Sequence, residues 1–272
     1  MGVRILLPPS EAKSPGGTGV PLAELGLGTG QLATTRRTVI DAVARLCADR
    51  PDDATDLLRL PPGVAEAARA ANVAVWQAPT MPALDRFTGV LFDAFAPGSL
   101  PPAARARAEE SVVVFDGSFG VLGGGDLVPD HRVPAAAMLP DLGGVAALWR
   151  PTLAAELPAR FAGHVVVDLR STDYAAMWRP GPNDVLDVLT VRILVAQPGT
   201  SGDRVGERHA VMSVPSKVGK GLLARALCRT RRTVRSRRDV LAVARTVGFT
   251  PLPTTRGAQL DLVFDFVPKA SR

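Results

Sequence analysis

The stretch VVVDLRSTDY (165–174) decides the fold class, because it joins a short apolar run to a polar loop. Two further runs, VVVF (112–115) and VLTVRILVA (188–196), have the same apolar and β-branched character. Runs of this length and composition are typical of strands that are buried on both faces of a sheet. VRILL (3–7), which ends at two prolines, is predicted to be a first strand of the same kind.

Helical patterns lie between these runs, at about 36–49, 63–72 and 101–110. The chain shows no internal repeat, and its Pro-rich stretches 95–103 and 250–256 have the length of loops rather than of interdomain linkers. We therefore expect an α/β fold, mixed α+β in detail, as a single domain over residues 1–272 in which helices flank a central sheet.

The last quarter of the chain carries four further predicted elements. HAVMSV (209–214) is predicted to be a strand, and residues 220–231 a helix. Ser236, followed three residues later by Asp239, indicates the N-cap of another helix. LDLVFDF (260–266) alternates apolar with mainly acidic residues and is predicted to be a strand.

Positive charge is concentrated in one window. The chain has a net charge of +6, but residues 225–245 hold eight arginines against a single acid, Asp239, so the window carries +7 and the rest sums to −1. A local cluster of this kind is typical of a surface that binds polyanions. The predicted contacts of this surface are Arg225, Arg231, Arg232, Arg237 and Arg238.

Several classes of protein are excluded by what the sequence lacks. The two cysteines, Cys47 and Cys228, have no metal-ligand spacing, so neither a metal nor another cofactor is predicted. No stretch has the ~18–20 apolar residues of a membrane span, and the first apolar run is too short for a signal peptide. We expect a cytoplasmic monomer without a membrane association.

Lysine is rare here, with four residues against 28 arginines, and three of the four lysines lie in predicted loops. PPSEAK (8–13) follows the first strand and places Ser10 and Lys13 at its carboxyl end, where α/β sheets hold ligands. SKVGKG (216–221) precedes a predicted helix, so Lys217, Lys220 and the backbone amides are expected to hold phosphate there.

At these segments the sequence resembles the YaaA family of peroxide-stress proteins. The blocks occur in the family's order and span nearly the whole chain. The matching segments are PPSEAK (8–13), RFTGVLFDAF (86–95), FDGSFGVLGGGD (115–126), PDHR (129–132), LRSTDY (169–174), SKVGKGLLAR (216–225) and LDLVF (260–264). The positions that keep the family's residue include Lys13, Gly117, Gly120, Arg132, Ser171, Tyr174, Lys217, Gly221 and Arg225.

The resemblance implies a mixed α/β fold with a basic cleft and a role in protecting DNA from oxidative damage. It also implies DNA binding through a helix-hairpin-helix element, whose hairpin would be Gly117–Gly120. One departure concerns this element: Gly123 and Gly124 stand where the family has Arg-Pro, which removes a positive charge.

Three functions remain open from the residues. The first is a protein that binds DNA through phosphate contacts without sequence specificity. The second is an enzyme acting on a small phosphorylated or nucleotide-like substrate, with Lys13, Asp173, Tyr174 and Lys217 as catalytic candidates: Lys or Tyr as proton donor and Asp as base. The third is a regulatory protein whose link to peroxide is indirect.

Overall fold

The computed structural model describes residues 2–196, 209–253 and 258–264. The strands are β1 Val3–Leu7, β2 Met81–Pro82, β3 Val112–Asp116, β4 Gly120–Gly123, β5 Leu127–Val128, β6 Met138–Leu139, β7 Gly143–Gly144, β8 Val165–Asp168, β9 Asp187–Ala196, β10 His209–Ala210, β11 Phe249–Pro251 and β12 Gln259–Phe264.

The described residues also form helices. They are α1 Leu22–Leu25, α2 Gly30–Asp49, α3 Pro51–Leu57, α4 Ala65–Val73, α5 Ala83–Arg86, α6 Val90–Phe95, α7 Pro102–Ser111, α8 Val145–Phe161, α9 Thr172–Ala175, α10 Ser213–Arg229 and α11 Arg237–Thr246, with short 3₁₀ helices at Pro62–Val64 and Pro97–Ser99. Within the described ranges, no helix is both long and apolar enough to cross a membrane.

The main sheet runs in the order β11-β12-β9-β8-β1-β3-β4, and β10 pairs with β9. Its five middle strands, from β12 to β3, are parallel, while β4, β10 and β11 are antiparallel. After β1 the chain adds β3 on one side and then β8 on the other, so the strand order reverses between β1 and β8. In open α/β sheets, the crevice outside the carboxyl ends of the strands at such a reversal is where ligands bind.

Both faces of the sheet are covered, as the apolar runs predict. Ile5 and Leu7 pack with α6, α7 and α10 on one face, and Leu6 packs with α2, α4 and α8 on the other. Because side chains alternate between faces, a strand covered on both sides must be apolar at consecutive positions. The predicted α/β sheet flanked by helices is therefore confirmed.

The elements near the C-terminus match the predictions unevenly. In α11 the Ser236 hydroxyl accepts a hydrogen bond from the Asp239 amide, as its capping pattern predicts. β12 is also confirmed, although positions 265–266 lie outside the described residues. The predicted strand 209–214 is wrong beyond Ala210, because α10 begins at Ser213, seven residues before the predicted start.

Proline residues lie in two helical stretches that the sequence patterns missed. Pro215 is in the first turn of α10, where a missing backbone N–H costs nothing, so it does not stop the helix. Pro151 and Pro158 lie inside α8, which the patterns did not predict at all. In both helices, burial against the sheet outweighs weak local propensity.

Candidate functional sites at the two edges of the sheet

Three loops meet at the carboxyl edge of the sheet, on either side of the reversal between β1 and β8. The loop after β1 supplies Ser10 and Lys13, the turn after β3 begins at Asp116, and the loop after β8 supplies Tyr174. Together with Arg132, these side chains line one small cavity. The sheet thus brings together four residues that the sequence predicted as site residues. Asp116 was not among them.

A buried histidine–aspartate pair lies next to this cavity. His131 Nε2 lies 2.9 Å from Asp116 Oδ2, and His131 Nδ1 lies 3.0 Å from the carbonyl oxygen of Pro129. The imidazole ring thus lies between a carboxylate and a carbonyl, both of which are hydrogen-bond acceptors. Burial raises the pKa of Asp116, but the charges of His131 and Lys13 and the hydrogen bonds to the carboxylate outweigh burial and hold the pKa below its usual value.

Asp116 also organises the turn between β3 and β4. Its Oδ1 accepts hydrogen bonds from the amides of Ser118 at 2.8 Å and Phe119 at 3.1 Å. Neither His131 nor Asp116 was among the predicted site residues. The signal available was a carboxylate at the end of an otherwise apolar strand, which by itself does not reveal a partner 15 residues away.

Lys13 is held by few contacts. Its ammonium group donates to the carbonyl of Ser10 at 3.2 Å and lies 5.4 Å from the centre of the Phe87 ring. Burial lowers the pKa of Lys13, although the charge of Asp116 acts in the opposite direction. A partly desolvated amine with unused donor capacity is suited to contact an anion or to transfer a proton.

The other two polar side chains of the cavity are also hydrogen-bond donors. Burial, with the charge of Asp116, raises the pKa of Tyr174, so its hydroxyl remains protonated. Arg132 forms an ion pair with Glu11 at the mouth of the cavity, and its Nε has no hydrogen-bond partner among the described residues. The cavity itself measures only about 10 Å³, which is room for one water molecule.

A larger cleft of about 450 Å³ lies beside this cavity, between the loop after β8, the middle of β9 and the start of α10. It is lined by the predicted site residues Ser171, Lys217 and Lys220. Lys220 donates to the carbonyl of Arg170 at 3.0 Å. Burial lowers the pKa of Lys220, the charge of Asp168 acts in the opposite direction, and the charge of Lys217 adds to the lowering. The predicted site residues are thus divided between two neighbouring spaces, and Asp173 lines neither.

The prediction that SKVGKG (216–221) forms a loop before a helix is wrong. All six residues lie inside α10, whose N-terminus is at Ser213. The glycines that suggested a loop are instead required by packing: a Cβ at Gly221 would lie 2.2 Å from the carbonyl oxygen of Leu91 in α6. Gly221 therefore has a packing role, and no role in holding an anion follows from its position.

The predicted helix-hairpin-helix at Gly117–Gly120 is also wrong. These residues form the turn of a β-hairpin, since β3 pairs with β4 in antiparallel register. Gly117 and Gly120 are buried, and a Cβ on Gly120 would lie 2.6 Å from the Trp149 ring. Because the amides at positions 118 and 119 already donate to Asp116, the turn has no free amide there for a phosphate backbone.

The arginines lie at the amino edge of the sheet, in the connection between α10 and α11. We call residues 229–238 the arginine segment. In it the side chains of Arg229, Arg231, Arg232, Arg235 and Arg238 are exposed. Arg237 is half-buried and donates to the carbonyl of Gln259 at 3.0 Å.

A cleft of about 320 Å³ runs along the arginine segment. Arg231 and Arg232 line it together with Arg4 and Arg107, which flank the starts of β1 and β3. Arg225 is not part of it, because its guanidinium donates to the carbonyls of Phe95 and Ala96 at the end of α6. The role predicted for Arg225 in anion binding therefore has no support from its position.

Lys217 and Lys220 do not share a cleft with the arginine segment. Lys217 and Lys220 lie near the start of α10, and the arginine segment begins at its end. A helix of 17 residues is about 26 Å long, at ~1.5 Å per residue. The two groups of cations are thus held at opposite edges of the sheet by one helix. Among the described residues, no group of three potential metal ligands occurs.

The chain is similar in sequence to known proteins over most of its length. The chain is 34% identical over 246 residues to a UPF0246 protein of Streptomyces coelicolor, covering 90% of each chain. It is 35% identical over 252 residues to a UPF0246 protein of Corynebacterium efficiens, covering 90% of this chain and 93% of the relative. The family model described as "Peroxide stress protein YaaA" matches residues 3–249. The chain therefore belongs to the YaaA family of peroxide stress proteins.

Proposed function

We propose that this protein acts in the response to peroxide stress by binding the phosphate backbone of DNA, without sequence specificity, through the arginine segment. The observation that carries the proposal is the exposure of five arginine side chains within ten consecutive residues. Guanidinium groups form paired hydrogen bonds with phosphate oxygens, and a row of them matches the repeating charge of a nucleic acid.

The surroundings of the segment support the same proposal. Two acids lie near the segment: Asp239, which accepts hydrogen bonds from the Ser236 hydroxyl and the Arg235 amide, and Glu110, which lines the cleft. Their two negative charges offset only part of the five exposed positive charges. Arg107 donates to the carbonyl of Cys228 at 2.9 Å, which holds the end of α10 in place. The segment contains no aromatic residue, so backbone contacts rather than stacking on bases are expected.

The experiment is a titration of fluorescent duplex DNA with the full chain at about 50 and about 200 mM salt. The test variant changes four exposed arginines to glutamine: Arg231, Arg232, Arg235 and Arg238. We expect the affinity of the unaltered protein to fall steeply with salt. The variant should bind far more weakly, with a salt slope that decreases by about 0.9 for each phosphate that it no longer neutralises.

A matched control removes the same charge elsewhere. It changes four exposed arginines around α2 and α3 to glutamine: Arg37, Arg45, Arg50 and Arg59. This control should bind DNA with nearly the affinity of the unaltered protein, because only the general electrostatic attraction is reduced. Equal losses of affinity in the two variants would show that net charge, and not the arginine segment, causes binding. No binding at low salt would contradict the proposal outright.

The enzyme hypothesis stays a prediction. Lys13 and Tyr174 meet in one cavity, but Asp173 and Lys217 do not join them there. A substrate would also have to displace the Glu11–Arg132 ion pair to enter, because the cavity holds no more than about one water molecule.

A further inference from the structure

We propose that the 450 Å³ cleft at the start of α10 binds a phosphate monoester attached to a ring system, such as a nucleoside monophosphate. The cleft lies at the opposite edge of the sheet from the arginine segment, so binding of a ligand there does not depend on DNA binding. We call this space the α10 cleft. It is built from the loop after β8, the side of β9 and the first turns of α10.

The start of α10 has an excess of positive charge with no side chain to offset it. Its N-cap residue, Met212, provides no side-chain hydrogen bond, and the first turn contains no acidic residue. The first amides of a helix carry partial positive charge and need acceptors. Lys217 and Lys220 follow within two turns, where cations are disfavoured by the helix dipole. Pro215 has no N–H and the Ser216 amide already donates to the carbonyl of Met212, so the amides of Ser213 and Val214 are left. An anion in the cleft would accept from these two amides and from both ammonium groups.

Ser216 supplies an independent indication of a ligand. Its residue is only 7% exposed and lines the α10 cleft. Its hydroxyl forms no hydrogen bond with any residue that the structure describes, and its oxygen is not among the atoms sealed from solvent. The hydroxyl is therefore available to a ligand in the cleft. A phosphate oxygen bound between the amides and the lysines would lie within reach of this hydroxyl.

The charges around the cleft favour an anion over a cation. Asp168 is the only carboxylate among the described lining residues, and Arg170 binds both of its oxygens, at 2.9 and 2.7 Å. Arg179, which also lines the cleft, is exposed and adds a further positive charge. With its carboxylate neutralised by Arg170, the cleft presents lysine and arginine side chains to a ligand.

The shape of the cleft requires more than a phosphate. Its volume of about 450 Å³ is within the range of small-molecule sites, and a phosphate group fills only a minor part of it. Val211, which is 60% exposed, and the half-buried Ala175 provide the apolar wall of the cleft, because Val191 and Ile193 beneath it are only 3% and 0% exposed. An apolar wall next to a phosphate site is suited to the flat face of a ring, because burying that face is favourable.

Calorimetric titration of the full chain with three probes tests this proposal: adenosine 5′-monophosphate, adenosine and inorganic phosphate. We expect adenosine 5′-monophosphate to bind at least about tenfold more tightly than either of the others, since it alone contacts both parts of the cleft. Lys217→Met and Ser216→Ala should each weaken its binding, by about tenfold for the lysine because that hydrogen bond is charge-assisted.

Two controls make the outcome decisive. Arg45→Met removes an exposed positive charge from α2 and should leave the affinity unchanged. The four-arginine variant of the arginine segment should also bind adenosine 5′-monophosphate normally. Ser216→Ala removes a hydroxyl without a partner, so it should fold as the unaltered protein does, which a thermal melt would verify.

Three results would overturn the proposal. One is adenosine binding as tightly as its monophosphate, which would mean that the cations hold no phosphate. Another is equal affinity in Lys217→Met and Arg45→Met, which would place the ligand elsewhere. The third is inorganic phosphate binding as tightly as adenosine 5′-monophosphate, which would leave the apolar wall without a role.

Discussion

The carboxyl and amino edges of the same sheet use charged residues in opposite ways. At the carboxyl edge, Asp116 is buried with His131, and Asp168 is buried with Arg170, so each charge has a partner at hydrogen-bond distance. At the amino edge, the arginine segment leaves five guanidinium groups exposed within ten residues.

Because of this difference, substitutions in the buried pairs and in the arginine segment should affect different properties of the protein. Removing one member of a buried pair leaves an uncompensated charge in the interior, which costs several kcal/mol. Exposed side chains without fixed partners contribute little to the free energy of unfolding. We therefore expect changes in the buried pairs of the carboxyl edge to act mainly on folding, and changes in the arginine segment to act mainly on ligand binding.

The largest effect should come from the two histidines that lie at opposite edges. His131→Leu leaves Asp116 buried without its partner and should lower the free energy of unfolding by about 3–5 kcal/mol. His164→Leu is the matched change at the amino edge, where the ring is half-buried and lies 3.4 Å from an Arg4 nitrogen. That change should cost less than about 1 kcal/mol. Urea unfolding at neutral pH measures both values.

The contrast between the two edges of the sheet would be contradicted if the two histidine variants were destabilised to a similar extent. That result would mean that the Asp116–His131 pair contributes no more than a weak surface contact. A double variant, His131→Leu with Asp116→Asn, sharpens the test. Its destabilisation should be less than the sum of the two single changes, because the unpaired charge is removed together with its partner.

A smaller effect should follow from the close packing under the carboxyl edge. Gly120 has a φ of 71°, and an added Cβ would lie 2.6 Å from the Trp149 ring. Gly120→Ala should therefore cost about 2–3 kcal/mol, from overpacking and backbone strain together. Gly248→Ala is the control, because its φ is 86° but no atom lies within 4 Å of the added Cβ.

Gly248→Ala should cost only about 1 kcal/mol, from the backbone alone. Thermal or urea unfolding of both variants gives the difference. If the two changes cost the same, Trp149 moves aside without penalty, and the packing beneath the β3–β4 turn is looser than the contacts indicate.

The smallest effect concerns the core beneath the arginine segment. Cys228 is 1% exposed, and burial raises the pKa of its thiol to about 12. Between pH 9 and the folded pKa, the unfolded chain releases a proton that the folded chain retains, so stability falls as pH rises. For this thiol the decrease in stability is about 1 kcal/mol between pH 9 and pH 10, because the unfolded thiol is only partly ionised at pH 9.

Cys228→Ala should therefore flatten the stability profile between pH 9 and pH 10 by about that amount, as measured by urea unfolding at each pH. Below about pH 7.5 the difference between the variant and the unaltered protein should be constant, because the thiol is then protonated in both states. An unchanged slope above pH 9 would show that the Cys228 thiol also ionises in the folded protein. The core beneath the arginine segment would then be accessible to solvent.

How much could be predicted from sequence depended on the range of the interactions. β1, β3, β8 and β9 agree closely with the predicted runs, because a strand covered on both faces is apolar throughout. The cap at Ser236 was predictable, since its partner is three residues away. The start of α10 was not, because Gly219 and Gly221 are selected by contacts with Ile193 and Leu91 rather than by helix propensity.

The candidate sites divide in the same way. The concentration of arginine in 225–245 was visible in the sequence, but which arginines are exposed was not. Arg225 points to the end of α6, whereas Arg231 and Arg232 line the cleft at the amino edge. The Asp116–His131 pair also escaped prediction, because neither residue belongs to a pattern that indicates the other.

By itself, the sequence determined the α/β class, the buried strands and the place along the chain where charge accumulates, since each depends on neighbouring residues. Only the tertiary structure decided that Lys13 and Tyr174 meet in one cavity, that Lys217 and Lys220 belong to another, and that the arginine segment begins about 14–18 Å further along α10, at ~1.5 Å per residue. The physical reason is that strand order and helix direction set these distances. Both are settled by packing between residues far apart in the chain.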